Sequence, residues 1–166
     1  MNINALSEQQ FIELFENIYE HSRWVAEQAV YARPFTSFDD VYETFKQLVE
    51  TATLTQKYTL LRAHPQLGDH VQMTTASTAE QQQAGLQHLT PAQYHLLRSL
   101  NDRYYEKFQF PFIIAVKGLT VDDIIHALER RVQLNETQEF KEALAQVHLI
   151  ARYRLQQLIE VGVSYA

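Results

Sequence analysis

The sequence predicts an all-α fold: a single domain over residues 1–166, built as a bundle of about eight helices with a buried apolar loop near residues 108–118. Three observations carry this expectation. Apolar residues recur at three- and four-residue spacing through most of the chain, the period that lines one face of a helix. Most of these stripes follow a Ser, Thr or Asn with Gln, Glu or Asp three residues on, the polar signature of a helix start. The stretch Phe108 to Gly118, FQFPFIIAVKG, has strand-like composition but no second convincing strand to pair with, so its backbone groups need other partners.

The elements follow in order. Ser7 and Gln10 form a capping box ahead of Phe11, Leu14, Phe15, Ile18 and Tyr19, all placed on one helical stripe. Ser22 caps a short second helix through Trp24, Val25 and Ala29, limited at Arg33 because Pro34 disfavours helical backbone before it. Ser37 opens a third helix carrying Phe38, Val41, Tyr42, Phe45, Leu48 and Val49. Thr55 caps a fourth, which ends at Ala63 because Pro65 holds His64 in extended backbone. Ser77 and Glu80 read as the capping box of a fifth. Thr90, Pro91 and Gln93 start a long sixth helix with Leu96, Leu97, Leu100 and Tyr104. Thr120 and Asp123 start the seventh, through Ile124, Ile125, Leu128 and Val132, and Asn135 with Gln138 starts the last, to the neighbourhood of Ile159.

Bulk properties narrow the function. There are 14 basic and 20 acidic residues, a net charge of -6, which offers no broad cationic surface for nucleic acid. The absence of cysteine removes disulfides, thiolate nucleophiles and Cys-ligated zinc. The N-terminal MNINALSEQQ has no basic segment followed by an apolar run, and no stretch approaches the roughly 18 apolar residues of a membrane span. A cytoplasmic protein with no membrane partner is the expectation.

Two places are unusual for plain scaffold. His64 sits at an element boundary, a place from which an imidazole can present a ring nitrogen to a cavity while the helix holds its backbone, and this side chain is suited to proton transfer near neutral pH. The plainer reading is a satisfied, half-exposed histidine. Nearby, Ser77 and Glu80 are accounted for by the capping box, but Gln81 beside them, followed by the small Ala84 and Gly85, is not. In the final helix Phe140, Leu144, Val147, Ala151, Leu155 and Leu158 define the apolar stripe, with Arg154 inside it and Arg152 at its edge. A core-facing guanidinium is either paired with a core carboxylate or holds an anionic ligand, and a bidentate carboxylate suits it in both cases.

Taken together, YEHSRWVAEQA (Tyr19 to Ala29), LLRAHPQL (Leu60 to Leu67), STAEQ (Ser77 to Gln81), FPFIIAVKG (Phe110 to Gly118), ERR (Glu129 to Arg131) and ARYRL (Ala151 to Leu155) resemble the 2-oxo-4-hydroxy-4-carboxy-5-ureidoimidazoline (OHCU) decarboxylase family. This family carries out the last step of urate breakdown to allantoin, and the likeness covers nearly the whole chain. Arg23 departs from the usual proline, Ala76 replaces a common Glu, and the loop from Gly68 to Ala76 is shorter than in many relatives. The resemblance implies His64 as the acid/base and Glu80 as its partner at the reacting carbon. It further implies that Pro65, the Ser77–Thr78–Ala79–Glu80–Gln81 group and the backbone of Phe112, Ile113, Ile114, Ala115 and Val116 hold the ureido and ring amides, and that Arg154 holds an anionic or carbonyl edge. An all-helical homodimer acting on the small molecule OHCU, with no metal and no organic cofactor, is what the family leads one to expect.

Two other classes compete. A metal-dependent hydrolase would use His64, His70 and Glu80, although their spacing matches no recognised zinc pattern. A non-catalytic helical interaction module would use a surface patch of Trp24, Phe35 and Phe38.

Overall fold

A computed structural model of the protein describes residues 1–68 and 74–165. Among these lie eight α-helices: α1 Glu8–Phe15, α2 Arg23–Ala29, α3 Phe38–Glu50, α4 Leu54–Arg62, α5 Thr75–Gln83, α6 Pro91–Phe108, α7 Val121–Arg131 and α8 Glu136–Glu160. Short 3-10 turns occupy Ile3–Ala5 and Val30–Ala32. The only β pairing among the described residues is an isolated bridge between Asn2 and Ser164, so the all-α expectation holds. None of their helices is long and apolar enough to cross a membrane.

The helix starts show how local chemistry sets the boundaries. Capping boxes form at Ser7–Gln10, Thr90–Gln93 and Thr120–Asp123, and Ser37 accepts from the Asp40 N–H, as the sequence predicts. Asn135 and Gln138 exchange the reciprocal pair of bonds at the start of α8. At α4 the cap is Thr53, not Thr55: the Thr53 hydroxyl accepts from Gln56 N–H and the Gln56 amide oxygen takes Thr53 N–H. Starting two residues earlier extends α4, and Thr53 with Gln56 meets the box requirement fully. Ser22 stands at the α2 start, but its hydroxyl donates to the Glu20 carbonyl and makes no cap bond.

The described chain forms two compact units. One comprises Met1–Leu60 with His148–Ala166. Its core is aromatic: Phe11 and Phe15 of α1 lie 4.5 Å apart between centroids, Phe15 meets Phe45 of α3 at 5.5 Å, and Phe35 stacks on Phe11 at 6.1 Å. With Phe35 buried, the proposed surface patch with Trp24 and Phe38 does not exist as such. Ile18 and Tyr19 are buried but lie beyond α1, because tighter turns close there, Ile18 N–H on Phe15 O and Ser22 N–H on Tyr19 O. The chain ends meet in this unit: the Met1 ammonium donates to Gly162 O at 2.8 Å, Ile3 N–H to Ser164 O at 3.0 Å, and the Asn4 amide to Tyr165 O at 2.8 Å.

The other unit is Leu61–Val147. Tyr104 of α6 centres it, with Phe108, Phe112 and Phe110 at 4.7, 5.4 and 5.8 Å. Leu97 and Leu100 from α6 and Ile124, Ile125 and Leu128 from α7 complete the apolar surface. Leu96, expected on this stripe, is 45% exposed; the buried α6 positions run Leu97, Leu100, Tyr104, one residue out of phase with it. Helix α6 ends at Gln109, whose left-handed backbone (φ 63°) turns the chain into the apolar segment. As expected, that segment is irregular and buried: Phe110, Phe112 and Ile113 are all 3% exposed or less, with no ladder partner.

Candidate active site

His64 follows the last turn of α4, its N–H reaching back to Leu61 O at 3.3 Å, and only 8% of it is exposed. Pro65 enforces the helix stop and Gly68 completes the turn at φ 76°. The positive φ is what favours glycine here; a Cβ would also stand 3.0 Å from Leu97 Cδ2, a tight contact with the end of a flexible side chain. Three hydrogen bonds then fix this turn within its unit. Gly68 N–H donates to the Gln81 amide oxygen at 3.1 Å, the Asn101 amide donates to Leu67 O at 3.2 Å, and Arg62 Nε donates to Gln109 O at 2.9 Å. The first ties the His64 turn to α5, and the third ties the α4 end to the start of the apolar segment.

On α5 the structure corrects one expectation. The N-cap is Thr74, whose hydroxyl accepts from Ser77 N–H at 3.2 Å, so Ser77 and Glu80 are not a capping box. The helix begins one turn earlier because Thr74 is itself cap-competent and Ala76 is a strong helix former. Ser77 and Gln81, four residues apart, share the buried face, 6% and 5% exposed. Glu80 is half-buried beside them, Thr78 is half-buried with its hydroxyl on Thr74 O at 3.1 Å, and Ala79 faces outward. Ser77 thus enters the helix start through its N–H, as the donor to Thr74, and not as the cap.

The backbone of Phe112 to Val116 is gripped from α7 and α8. Arg131 Nη1 donates to Ile113 O at 2.6 Å, Gln146 Oε1 accepts Ala115 N–H at 2.9 Å, and Leu119 N–H donates to Val116 O at 3.0 Å. Arg131 is held in turn by Glu139 and lies over the Phe112 ring at 4.4 Å, and the Tyr104 hydroxyl donates to the same carboxylate. Burial, reinforced by the bond to Glu139, pushes the Tyr104 pKa far up and keeps that proton in place.

His64, Pro65, Ser77 to Gln81 and Phe112 to Val116 all belong to this one unit. Arg154 belongs to the other, 4% exposed, with Nη1 donating to Asn17 O at 2.8 Å and standing 3.6 Å from the fully buried Glu20 carboxylate. The core carboxylate of the plainer reading therefore exists. Arg152 lies over the Phe38 and Tyr42 rings and 3.8 Å from Asp39. His70, needed for the metal-hydrolase reading, lies outside the described residues.

Sequence reasoning missed Arg131, Glu139 and Gln146, and a second buried histidine. His148 Nδ1 meets the Tyr19 hydroxyl at 2.8 Å and Nε2 meets Glu50 at 2.7 Å. The stripe test that singled out Arg154 was the available signal: Arg131 continues Ile124 and Leu128, and Glu139 precedes Ala143 and Val147 at four-residue spacing.

An all-helical scaffold that sets a buried imidazole, a half-buried carboxylate and a clamped stretch of irregular backbone in one unit has the parts of a small-molecule acid–base site. Comparison with known proteins narrows the class. A family model described as OHCU decarboxylase matches residues 4–156. A 2-oxo-4-hydroxy-4-carboxy-5-ureidoimidazoline decarboxylase of Haloferax volcanii is 47% identical over 153 residues, 92% of this chain and 91% of that one. The Uric acid degradation bifunctional protein of Bacillus sp. (strain TB-90) is 39% identical over 160 residues, 96% of this chain but 32% of the longer protein. A solved (S)-allantoin synthase superposes with TM-score 0.78 at 33% identity, over 93% of this chain and 52% of that one. The chain belongs to the OHCU decarboxylase family.

Proposed function

We propose that this enzyme removes the carboxylate of OHCU to give (S)-allantoin in urate catabolism, with His64 as acid/base and Glu80 as its partner. The observation that supports the residue assignment is that His64, at 8% exposure, belongs to the same unit as Ser77, Glu80 and Gln81 of α5, a helix capped by Thr74. The Gly68–Gln81 bond supports it by tying the His64 turn to the same helix.

The reaction needs orientation and charge stabilisation more than a reactive group from the protein. When the bond from the ring carbon to the carboxylate breaks, CO2 leaves and the electron pair spreads into the ring π-system. The ring nitrogen that receives the pair takes up one proton, a second goes to the ureido-bearing carbon on one face, and the hydroxyl proton is lost to give the ring carbonyl, so one proton is consumed overall. His64 delivers the proton to carbon, so its fixed position sets the product's hand, and Glu80 steers the imidazole or takes up the hydroxyl proton. Pro65, Ser77, Thr78, Ala79, Gln81 and the backbone of Phe112, Ile113, Ile114, Ala115 and Val116 meet the ureido and ring amides. Arg154 is assigned to an anionic or carbonyl edge on the family resemblance, beside its structural pairing with Glu20. A homodimer in the cytoplasm is part of the same reading.

The test generates OHCU in situ from urate with the upstream enzymes and follows circular dichroism as allantoin forms. Wild-type protein should give rapid, one-handed product, and His64→Asn and Glu80→Ala should each lose about 10²- to 10⁴-fold. Slow racemic decay unchanged by the wild type would reject the reaction. Normal turnover by His64→Asn would reject the acid assignment alone.

A further inference from the structure

We infer that Gln146 is a positioning residue for the substrate, acting through the backbone it holds; this rests on the reading of Phe112 to Val116 as the amide-binding segment. Two helices grip that segment. Arg131 of α7 takes the carbonyl of Ile113, and Gln146 of α8 takes the N–H of Ala115, at 2.6 and 2.9 Å.

These two groups have a geometric relation. Ile113 O and Ala115 N–H flank Ile114 and are both taken by protein side chains, so the N–H and C=O of Ile114 are the pair that neither clamp engages. A ureido group carries N–H donors beside a carbonyl acceptor, and the N–H and C=O of a single residue supply the matching donor and acceptor. The two protein bonds thus set which residue of the five meets the amide edge of the substrate. A segment without sheet partners has no ladder to set this register, so side chains must.

The two clamps differ in what else they do. Arg131 is a buried ion-pair partner of Glu139, so its replacement threatens the fold. Gln146 is half-buried and otherwise makes one long contact, 3.5 Å from its amide nitrogen to Glu142 on the same helix face. It can be altered with the core left intact.

The experiment compares wild type, Gln146→Leu and Gln146→Glu, measuring KM and kcat on in situ OHCU, thermal unfolding, and hydrogen exchange at the Ala115 amide. Gln146→Leu should raise KM roughly 3- to 10-fold, the value of one net hydrogen bond, and speed Ala115 exchange, with kcat and unfolding temperature little changed. Gln146→Glu keeps an acceptor for the Ala115 N–H and should restore KM. A KM for Gln146→Leu less than 3-fold above wild type, or equal impairment of the Leu and Glu variants, would overturn the inference. Failure of the decarboxylase reading shows separately, as a wild type that does not accelerate the reaction.

Discussion

Glu139→Ala would leave the Arg131 guanidinium, 1% exposed at its side chain, without its counter-charge in the core of its unit. Breaking a buried pair from one side costs about 3–5 kcal/mol, because the surviving charge remains desolvated. The Tyr104 hydroxyl loses its acceptor in the same substitution, about 1–3 kcal/mol when counted alone. One carboxylate serves both partners, so the losses overlap and the pair value sets the scale. At roughly 2–4 °C per kcal/mol for a chain of this size, the melting temperature should fall by about 6–20 °C. Urea unfolding followed by far-UV circular dichroism measures the free energy directly. The double variant Arg131→Met with Glu139→Leu removes both charges and should be less damaged than Glu139→Ala. It still leaves Ile113 O without its donor, so it should not match the wild type. A loss below about 1 kcal/mol for Glu139→Ala would refute the reasoning, since a charge so placed has no inexpensive alternative.

Two further predictions concern the other unit and its helix starts. Burial holds the His148 pKa below its ordinary value; Lys46 adds to that effect while the bond to Glu50 and the charges of Glu50 and Glu43 oppose it. The folded protein therefore binds the proton less readily than the unfolded chain, so His148 contributes stability that is complete above about pH 6.5 and is lost as pH falls through the lower folded value. Melting temperatures at pH 7.5 and 5.5 should show this drop in wild type and a smaller one in His148→Gln. At the start of α4, Thr53→Ala should cost about 1 kcal/mol and Thr55→Ala less than about 0.5 kcal/mol, read by urea unfolding. Equal effects would mean that the Thr53–Gln56 box contributes nothing.

Signals that span three or four residues were legible in the sequence. The boxes at Ser7, Thr90 and Thr120 and an irregular, largely buried stretch, which runs from Phe110 to Val116, followed from local chemistry and from the lack of strand partners. At Thr74 and Ser77 two competent caps lie three residues apart, and only the gain from one more helical turn chooses between them. The same ambiguity separates Thr53 from Thr55. Arg131, Glu139 and Tyr104 come from three helices, and nothing local ties them together. Two of them nonetheless sit on apolar stripes, where a charge must have a partner. Of the candidate site, His64 was visible because Pro65 forces a boundary. Gln146 was invisible because its partner is a backbone amide, which carries no sequence signature.

The Met1 ammonium on Gly162 and the Ile3 amide on Ser164 make the first unit a discontinuous one, assembled from the beginning and end of the chain. During synthesis that unit lacks residues 148–165 until after Leu61–Val147, which is contiguous, has been made. The order of folding on the ribosome is thus written into the connectivity, with the unit carrying His64 and Glu80 able to form first. A short flexible linker from residue 165 to residue 1, with new ends opened in the turn at Thr51–Thr53, would make 148–165 and 1–51 continuous in sequence, yet Leu61–Val147 would still be synthesised ahead of them.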